Sequence, residues 1–351
     1  MKKSLLPFLV CPVSRKPLEI YILEEHGQDI QRAVFLSPDG FMYPVIGGLP
    51  RFLPEAFLDY EKEMQSLLPD FSRRKATLLQ KFGGLIEDCV KKNRRTKASF
   101  TFEWGLLDHK SDKIWHENRG EMVQTFYRET GFQPEDIKGK MVLDAGCGHG
   151  VLSHLIWEEG AATVIGMDLG PGVEKAMQLY GAEDVHFIQA DVLFPPLAAA
   201  RFDLVHSSGV IHHMPSTELA FSRLAPLSAI GGRFCVWLYH PIPSPVHSLF
   251  RKIRPLSCRL PIGLQYWLYR IFILPPALLW HRTKGKKINA TEMMIDLMDA
   301  LSCEFRQEHL PEETIAWYWQ QGFENWQLST RNHFGFSVFA DRKAENDKLN
   351  P

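Results

Sequence analysis

The chain has 351 residues, 45% hydrophobic and 23% charged, which is ordinary globular composition and excludes a disordered chain. Forty Lys and Arg against 41 Asp and Glu leave a net charge of −1, so total charge points to neither nucleic acid nor membrane. Six scattered cysteines without a CxxC pair argue against a disulfide framework or a zinc ribbon.

The opening stretch, MKKSLLPFLVCPVSRKPLEI, places lysines before a short apolar run, as a secretory leader does. Pro7 interrupts that run, and Pro12, Arg15 and Lys16 stand where small cleavage-site residues would be. The expectation is a reduced, cytoplasmic protein. Residues 1–54 hold short β-like runs (LEIYIL, AVFLS, FMYPVI) separated by SPDG and GG, the pattern of a small β-rich unit. Residues 55–135 read as a helical linker, charged along RRKATLLQKFGGLIEDCVKKNRR, with the aromatic stretch FTFEWGLL as an N-terminal lid or ordinary core packing. From 136 to 345, apolar strands alternate with helices: MVLDAG, TVIGMD, VHFIQAD, FDLVHSS and GGRFCVWLY. That alternation specifies an α/β fold with a parallel sheet covered by helices.

Within it, VLDAGCGHG (142–150) ends a strand in Asp144 and continues through Gly146, Gly148 and Gly150. In such a sheet, ligands bind beyond the carboxyl ends of the strands, and glycine lets the chain turn tightly and removes the Cβ from a ligand's path. A tight turn without a ligand accounts for the glycines alone. A dinucleotide fingerprint, GxGxxG, needs its third glycine where Val151 stands, which weakens a dehydrogenase reading. The next two strands end in Asp168, placed to accept from both hydroxyls of a ribose, and Asp191, placed to accept from an adenine amino group.

These residues resemble the class I S-adenosylmethionine-dependent methyltransferases of methyltransferase type 11-like character, across roughly 141–239. The resemblance implies a Rossmann-like seven-stranded sheet with helices on both faces and S-adenosylmethionine as cofactor. By motif, Asp144 and Gly146, Cys147, Gly148 and Gly150 line its amino-acid part, Asp168 its ribose, and Ala190 with Asp191 its adenine. Ala145, Leu169, Val192, Ser207 and Gly209 complete the implied lining. In HSSGVIHHMPS (206–216), His212 or His213 is the candidate general base, since histidine titrates near neutrality. The alternative is that one histidine packs against the cofactor while the other caps the following helix; transfer to a reactive acceptor needs only alignment.

The amino-terminal unit (LLPFLVCPVSRKPL, GFMYPVIGGLPRFLPE) is similar to the small methyltransferase-activator (Trm-like) family, which serves tRNA, ribosomal-RNA and protein methyltransferases and sometimes carries zinc. Here Ser14 replaces the second cysteine of CPxC, so no metal is expected.

Residues 241–290 form an insertion after the fifth strand. From Pro241 through Thr291 there is no Asp or Glu, while nine Lys and Arg, from Arg251 to Lys287, gather around LQYWLYRIFILPPALLWH. Three readings stay open: a cap closed over the acceptor, an element of 245–287 meeting anionic lipid, and a nucleic-acid surface. The expected function is methyl transfer to a small acceptor, apolar, lipid-linked, glycan or natural-product. The alternatives are RNA or protein methylation, and a non-catalytic cofactor-binding module that docks on a membrane or partner.

Overall fold

The computed structural model describes residues 1–106, 113–114, 117–285 and 288–343, with side chains omitted at 104 and 113–114. Lys286 and Lys287 of the basic segment, Leu107 of the FTFEWGLL stretch and residues 344–345 of the expected last region lie outside the described residues.

The amino-terminal strands β1 (Glu19–His26), β2 (Asp29–Leu36), β3 (Met42–Ile46) and β4 (Leu49–Pro50) pair in that order as an antiparallel sheet. Phe35, Tyr43 and Phe52 stack inside it, with ring centroids 5.2 Å apart in each neighbouring pair. The Cys11 thiol lies 3.4 Å from the Tyr43 hydroxyl and accepts from Ser14 N–H. After the short helices α1 (Ala56–Asp59) and α2 (Glu61–Leu67) comes α3 (Phe71–Leu106), a 36-residue helix kinked at Phe82. A small ladder of β5 (Lys113–Ile114) and β6 (Glu117–Asn118) leads into α4 (Arg119–Thr130). Asn118 and Glu121 close a capping box at its start, and Gly131 ends it in the left-handed region.

The main sheet follows: β7 (Met141–Ala145), α5 (Val151–Glu158), β8 (Thr163–Asp168), α6 (Val173–Tyr180), β9 (Val185–Gln189), β10 (Phe202–Ser208), α7 (Thr217–Leu224) and β11 (Ser228–Tyr239). The insertion contributes α8 (Pro245–Ser257), α9 (Ile262–Leu268) and α10 (Leu274–Thr283), and α11 (Ala290–Ser302) follows it. Then α12 (Pro311–Gln320) precedes the hairpin β12 (Phe323–Arg331) and β13 (Gly335–Arg342). Spatial order in the seven-stranded sheet is β12-β13-β11-β10-β7-β8-β9. β7 to β11 are parallel, and β13 enters antiparallel beside β11. These parallel strands read as near-continuous apolar runs because helices cover both faces.

The chain order reverses between β7 and β10, so the crevice for a ligand opens at the carboxyl ends of β7, β8 and β10. The amino-terminal unit closes the free edge beside β9. Arg51 bridges to Gln189 in parallel, Phe52 N–H donates to Gln189 O at 2.7 Å, and Val10 N–H donates to Pro196 O at 2.9 Å. An edge strand whose N–H and C=O groups are paired in this way cannot recruit a foreign strand.

Candidate functional site

The three loop glycines have φ of 93°, 54° and 75° at Gly146, Gly148 and Gly150, a run that L side chains rarely adopt. At Gly146 an added Cβ would stand 2.1 Å from Val210 Cγ2, and at Gly150 it would stand 2.5 Å from Phe187 Cε1. So two of the glycines are required by the protein's own close packing. The loop is pinned by Gly148 N–H, which donates to Asp168 Oδ2 at 2.9 Å, while Gly170 N–H donates to Oδ1 at 2.8 Å. Each carboxylate oxygen retains a second acceptor position. Gly146, Cys147, Asp168, Leu169, Ser208 and Gly209 are all half-buried, forming one continuous rim at the strand ends.

The other acids differ. Asp144 is closed to solvent; its Oδ2 accepts from Ser153 Oγ at 2.6 Å, and Oδ1 lies 3.8 Å from His206 Nδ1. His206 Nε2 meets Glu129 Oε2 at 3.1 Å on the other side. Burial alone would lower the imidazole pKa, but the two carboxylates outweigh it and push it up to about 9. Asp191 is also closed. Its Oδ2 pairs with Lys92 Nζ at 2.6 Å, and Oδ1 accepts from Leu193 N–H, so both oxygens are engaged within the protein. Ala190 and Val192 flank it in the core, and Ser207 donates to Ala145 O, tying β10 to β7.

Lys92 belongs to α3, within the stretch read as a helical linker, and this helix's contacts with the strand ends are what the sequence did not reveal. Its inward face runs Leu78, Ile86, Cys89, Asn93, Thr96, Ser99, Glu103, all buried at helical spacing. The first part is apolar where it packs on the amino-terminal unit, with Phe82 4.9 Å from Phe41. The second part is polar: Asn93 donates to Glu55, Ser99 donates to Glu103, and Phe100 lies edge-on to His213 at 5.2 Å. With Lys92 on Asp191 and Phe100 against His213, the linker helix lies as a strap across the strand ends. The signal in the sequence was the small polar series 93, 96, 99, masked by the exposed charges of Lys91, Arg94 and Arg95 around its members.

After β10, Val210 covers Gly146, and the two histidines follow in a short helical turn. His213 Nδ1 faces Phe305 O at 3.0 Å and its Nε2 faces Asp299 Oδ1 at 3.4 Å, so both nitrogens are engaged within the protein. His212 is the opposite: fully buried, with both ring nitrogens unpartnered, and packed 4.1 Å from the Tyr239 ring. Burial, aided by His213 and Arg306, holds its pKa well below 6.5, so the ring is neutral. Neither histidine caps α7; Ser216 does, accepting from Leu219 N–H. Tyr239 donates to Asp299 Oδ2 at 2.6 Å, and Arg306 lies 3.7 Å over the Tyr239 ring. Glu103 is buried with one carboxyl oxygen unpartnered, and burial followed by the Asp299 charge raises its pKa far above the ordinary range. Asp299, though burial pushes it up, is held low by His213, Arg306 and the Tyr239 hydroxyl. Donor atoms of His213, Asp299 and Cys303 converge within 4.8 Å, but the first two already pair with each other.

A seven-stranded sheet with one antiparallel strand, a glycine loop after β7 and an acid ending β8 defines the class I methyltransferase architecture. Residues 142–232 match the family described as methyltransferase domain. An uncharacterized methyltransferase of Mycobacterium bovis is 33% identical over 118 residues, covering 33% of this chain and 59% of its own length. The chloroplastic tocopherol O-methyltransferase of Arabidopsis thaliana is 32% identical over 148 residues, covering 40% of this chain and 42% of its own. Among solved structures, the magnesium protoporphyrin IX methyltransferase of Synechocystis PCC 6803 with bound SAH aligns over 72% of this chain and 98% of its own, at 15% identity and a TM-score of 0.44. The chain thus spans about three fifths of the first of these relatives.

Proposed function

We propose that the protein transfers a methyl group from S-adenosylmethionine to a nucleophilic atom of a small, apolar acceptor. The crevice fits the cofactor: the half-buried rim from Gly146 to Gly209 is backbone without Cβ at its closest points, and Asp168 retains free acceptor positions for a ribose. When bound, the cofactor supplies an electrophilic methyl group on a sulfonium centre. Asp168 holds the ribose. Asp144 acts through Ser153 and His206 to keep the loop in shape, and Lys92 with Asp191 fixes the strap at the adenine end.

The observation that carries the acceptor reading is the lining beside that rim. Phe100, Trp237 and Tyr239 supply aromatic walls, while His212 and Glu103 present unpartnered polar atoms. A mostly apolar cluster that carries a few unpaired polar groups has the chemistry that lines small-molecule sites. His212, neutral and with a free lone pair, accepts a hydrogen bond from the acceptor's hydroxyl and orients it; Glu103, held neutral, donates a hydrogen bond. His213 positions Asp299. The similarity to a tocopherol O-methyltransferase supports an acceptor with an apolar body.

Calorimetry with S-adenosylmethionine is the first test, and binding in the micromolar range is expected. Incubation with methyl-labelled cofactor and a small-molecule extract should then label an organic-soluble product. Label lost on nuclease or protease treatment would replace this acceptor with RNA or protein, and tight NADH binding in place of S-adenosylmethionine would replace the chemistry.

A further inference from the structure

The insertion disposes of its apolar residues in an unusual way. From Ile262 to Thr283 the chain is one 22-residue helix, α9 running through a π-helical turn into α10, apolar enough to cross a membrane by length and composition. Only 17% of its most apolar window is buried in the protein. One face packs through Tyr269 and Leu274 against Met294, Leu297, Met298 and Leu301 of α11. The other face exposes Leu264, Trp267, Ile271, Phe272, Leu279 and Trp280, and α8 adds Val246, Leu249, Ile253 and Leu256. Leu256 is 71% exposed, Phe272 68% and Trp280 63%. Isolated apolar residues are common on soluble surfaces, but a contiguous face of this size marks something that covers it.

Charge identifies the cover. The segment contains no acid, and Arg251, Lys252, Arg259, Arg270, Arg282 and Lys284 surround the apolar face. Arg270 lies 5.9 Å over the Trp267 ring and Lys284 lies 5.0 Å over the Trp280 ring. Tryptophans beside cationic side chains on an apolar face match the boundary between acyl chains and anionic headgroups. An RNA surface would use the charges and leave the aliphatic residues in water. The helix does not span a bilayer as it stands, because its inner face is committed to α11 and, through Tyr266 5.4 Å from Phe102, to the strap α3.

We propose that α8 to α10 form a monotopic docking surface for anionic lipid bilayers, with the outer face inserted at headgroup depth. If the proposed function holds, this places the acceptor cluster beside the membrane: Tyr266 touches Phe102, and Phe100, two residues away on α3, touches His213. The acceptor class would then be a membrane-dissolved lipid. Docking itself requires neither cofactor nor turnover, so it stands or falls separately from methyl transfer.

The test is flotation of the whole protein with vesicles of phosphatidylcholine alone and with 30% phosphatidylserine, across a salt series. Binding to the anionic vesicles is expected, falling steeply with salt. Arg270→Gln, Arg282→Gln and Lys284→Gln together should weaken it roughly a hundredfold at low salt and flatten the slope. Trp267→Ser with Phe272→Ser should weaken it at every salt concentration and leave the slope unchanged, with an unaltered melting temperature as the control for folding. No flotation with anionic vesicles at low salt would overturn the proposal, as would binding to single-stranded RNA without binding to vesicles.

Discussion

In β7 to β11 most large apolar side chains are closed to water; Leu143, Ile165, Val205 and Phe234 are all 0% exposed. In α8 to α10 residues of the same kinds stand mostly in solvent. Both segments read as apolar in the sequence, and hydropathy alone gives them one meaning. The difference lies in what surrounds each run. The strands are short, end in turns or acids, and alternate with helices that cover them. Helices α8 to α10 carry basic residues along the same faces as Trp and Leu and no acids, and α11 covers only their inner face. An apolar run is a core element when the chain supplies its cover, and a docking element when the cover must come from elsewhere.

That contrast is broken most severely at the glycine loop, where nothing has room to move. Gly146→Ala puts a methyl group 2.1 Å from Val210 Cγ2 at a φ of 93°. Overpacking costs about 1–3 kcal/mol and the left-handed conformation of a non-glycine residue about 1–2 kcal/mol more. Denaturant unfolding should show a loss in that combined range, with cofactor binding abolished in whatever protein remains folded. A stable, binding-competent Gly146→Ala variant would mean that the loop is looser than its packing indicates.

The loop was legible in the sequence because glycine's role is local: three positive φ values within five residues need three residues without Cβ. The seven-stranded sheet with helices on both faces followed from the alternation of strands and helices and from the class resemblance; the order of its strands did not. The acceptor cluster was not legible. Tyr239, Asp299 and Arg306 come from a strand end, the helix that follows the insertion and the loop after it, and nothing in their spacing announces that they meet. His212 and His213 looked equivalent as neighbours in sequence, and only their surroundings separate them. The charge network around His206 was hidden for the same reason, since Glu129 lies 77 positions away.

That network makes the buried half of the molecule pH-sensitive. His206 has its pKa raised to about 9, above the ordinary 6.5, so its contribution to stability is fully present below about 6.5 and lost as pH rises through 9. The difference corresponds to roughly 3 kcal/mol across that window. The stability of the native chain should therefore decline between pH 6.5 and 9 more steeply than that of His206→Gln. Parallel pH profiles for the two proteins would show that the imidazole carries no charge between Glu129 and Asp144.

A smaller effect is expected at Asp168, where the fold and the ligand share one carboxylate. Asp168→Ala removes the acceptor for Gly148 and Gly170 N–H as well as the proposed ribose partner. A charge-assisted hydrogen bond contributes about 1.5–3 kcal/mol, so S-adenosylmethionine affinity should fall by roughly ten- to a hundredfold. Asp168→Asn separates the two roles, since its amide oxygen still accepts one backbone bond while the charge is gone. Calorimetry on both variants should find Asn intermediate; unchanged affinity in both would remove Asp168 from the cofactor site.

The smallest expected effect tests the other half of the comparison. Leu279 and Trp280 are each 63% exposed on the outer face of α10. If that face is uncovered in the free protein, Leu279→Ser and Trp280→Ser remove little that folding has buried. Each should then change unfolding free energy by no more than about 0.5 kcal/mol, the ordinary range for surface positions. Leu274, on the same helix but packed into the cluster with Met294 and Leu297, provides the internal reference for what a covered position costs. The measurement is denaturant unfolding without lipid, followed by the same melts with anionic vesicles present. Vesicles should raise the native protein's melting temperature more than that of the variants, because only a bound state can gain from those side chains. A loss above about 1 kcal/mol without lipid, approaching that of Leu274→Ala, would mean that the chain already covers this face. The contrast between the sheet and the insertion would then fail, and the lipid-docking proposal with it.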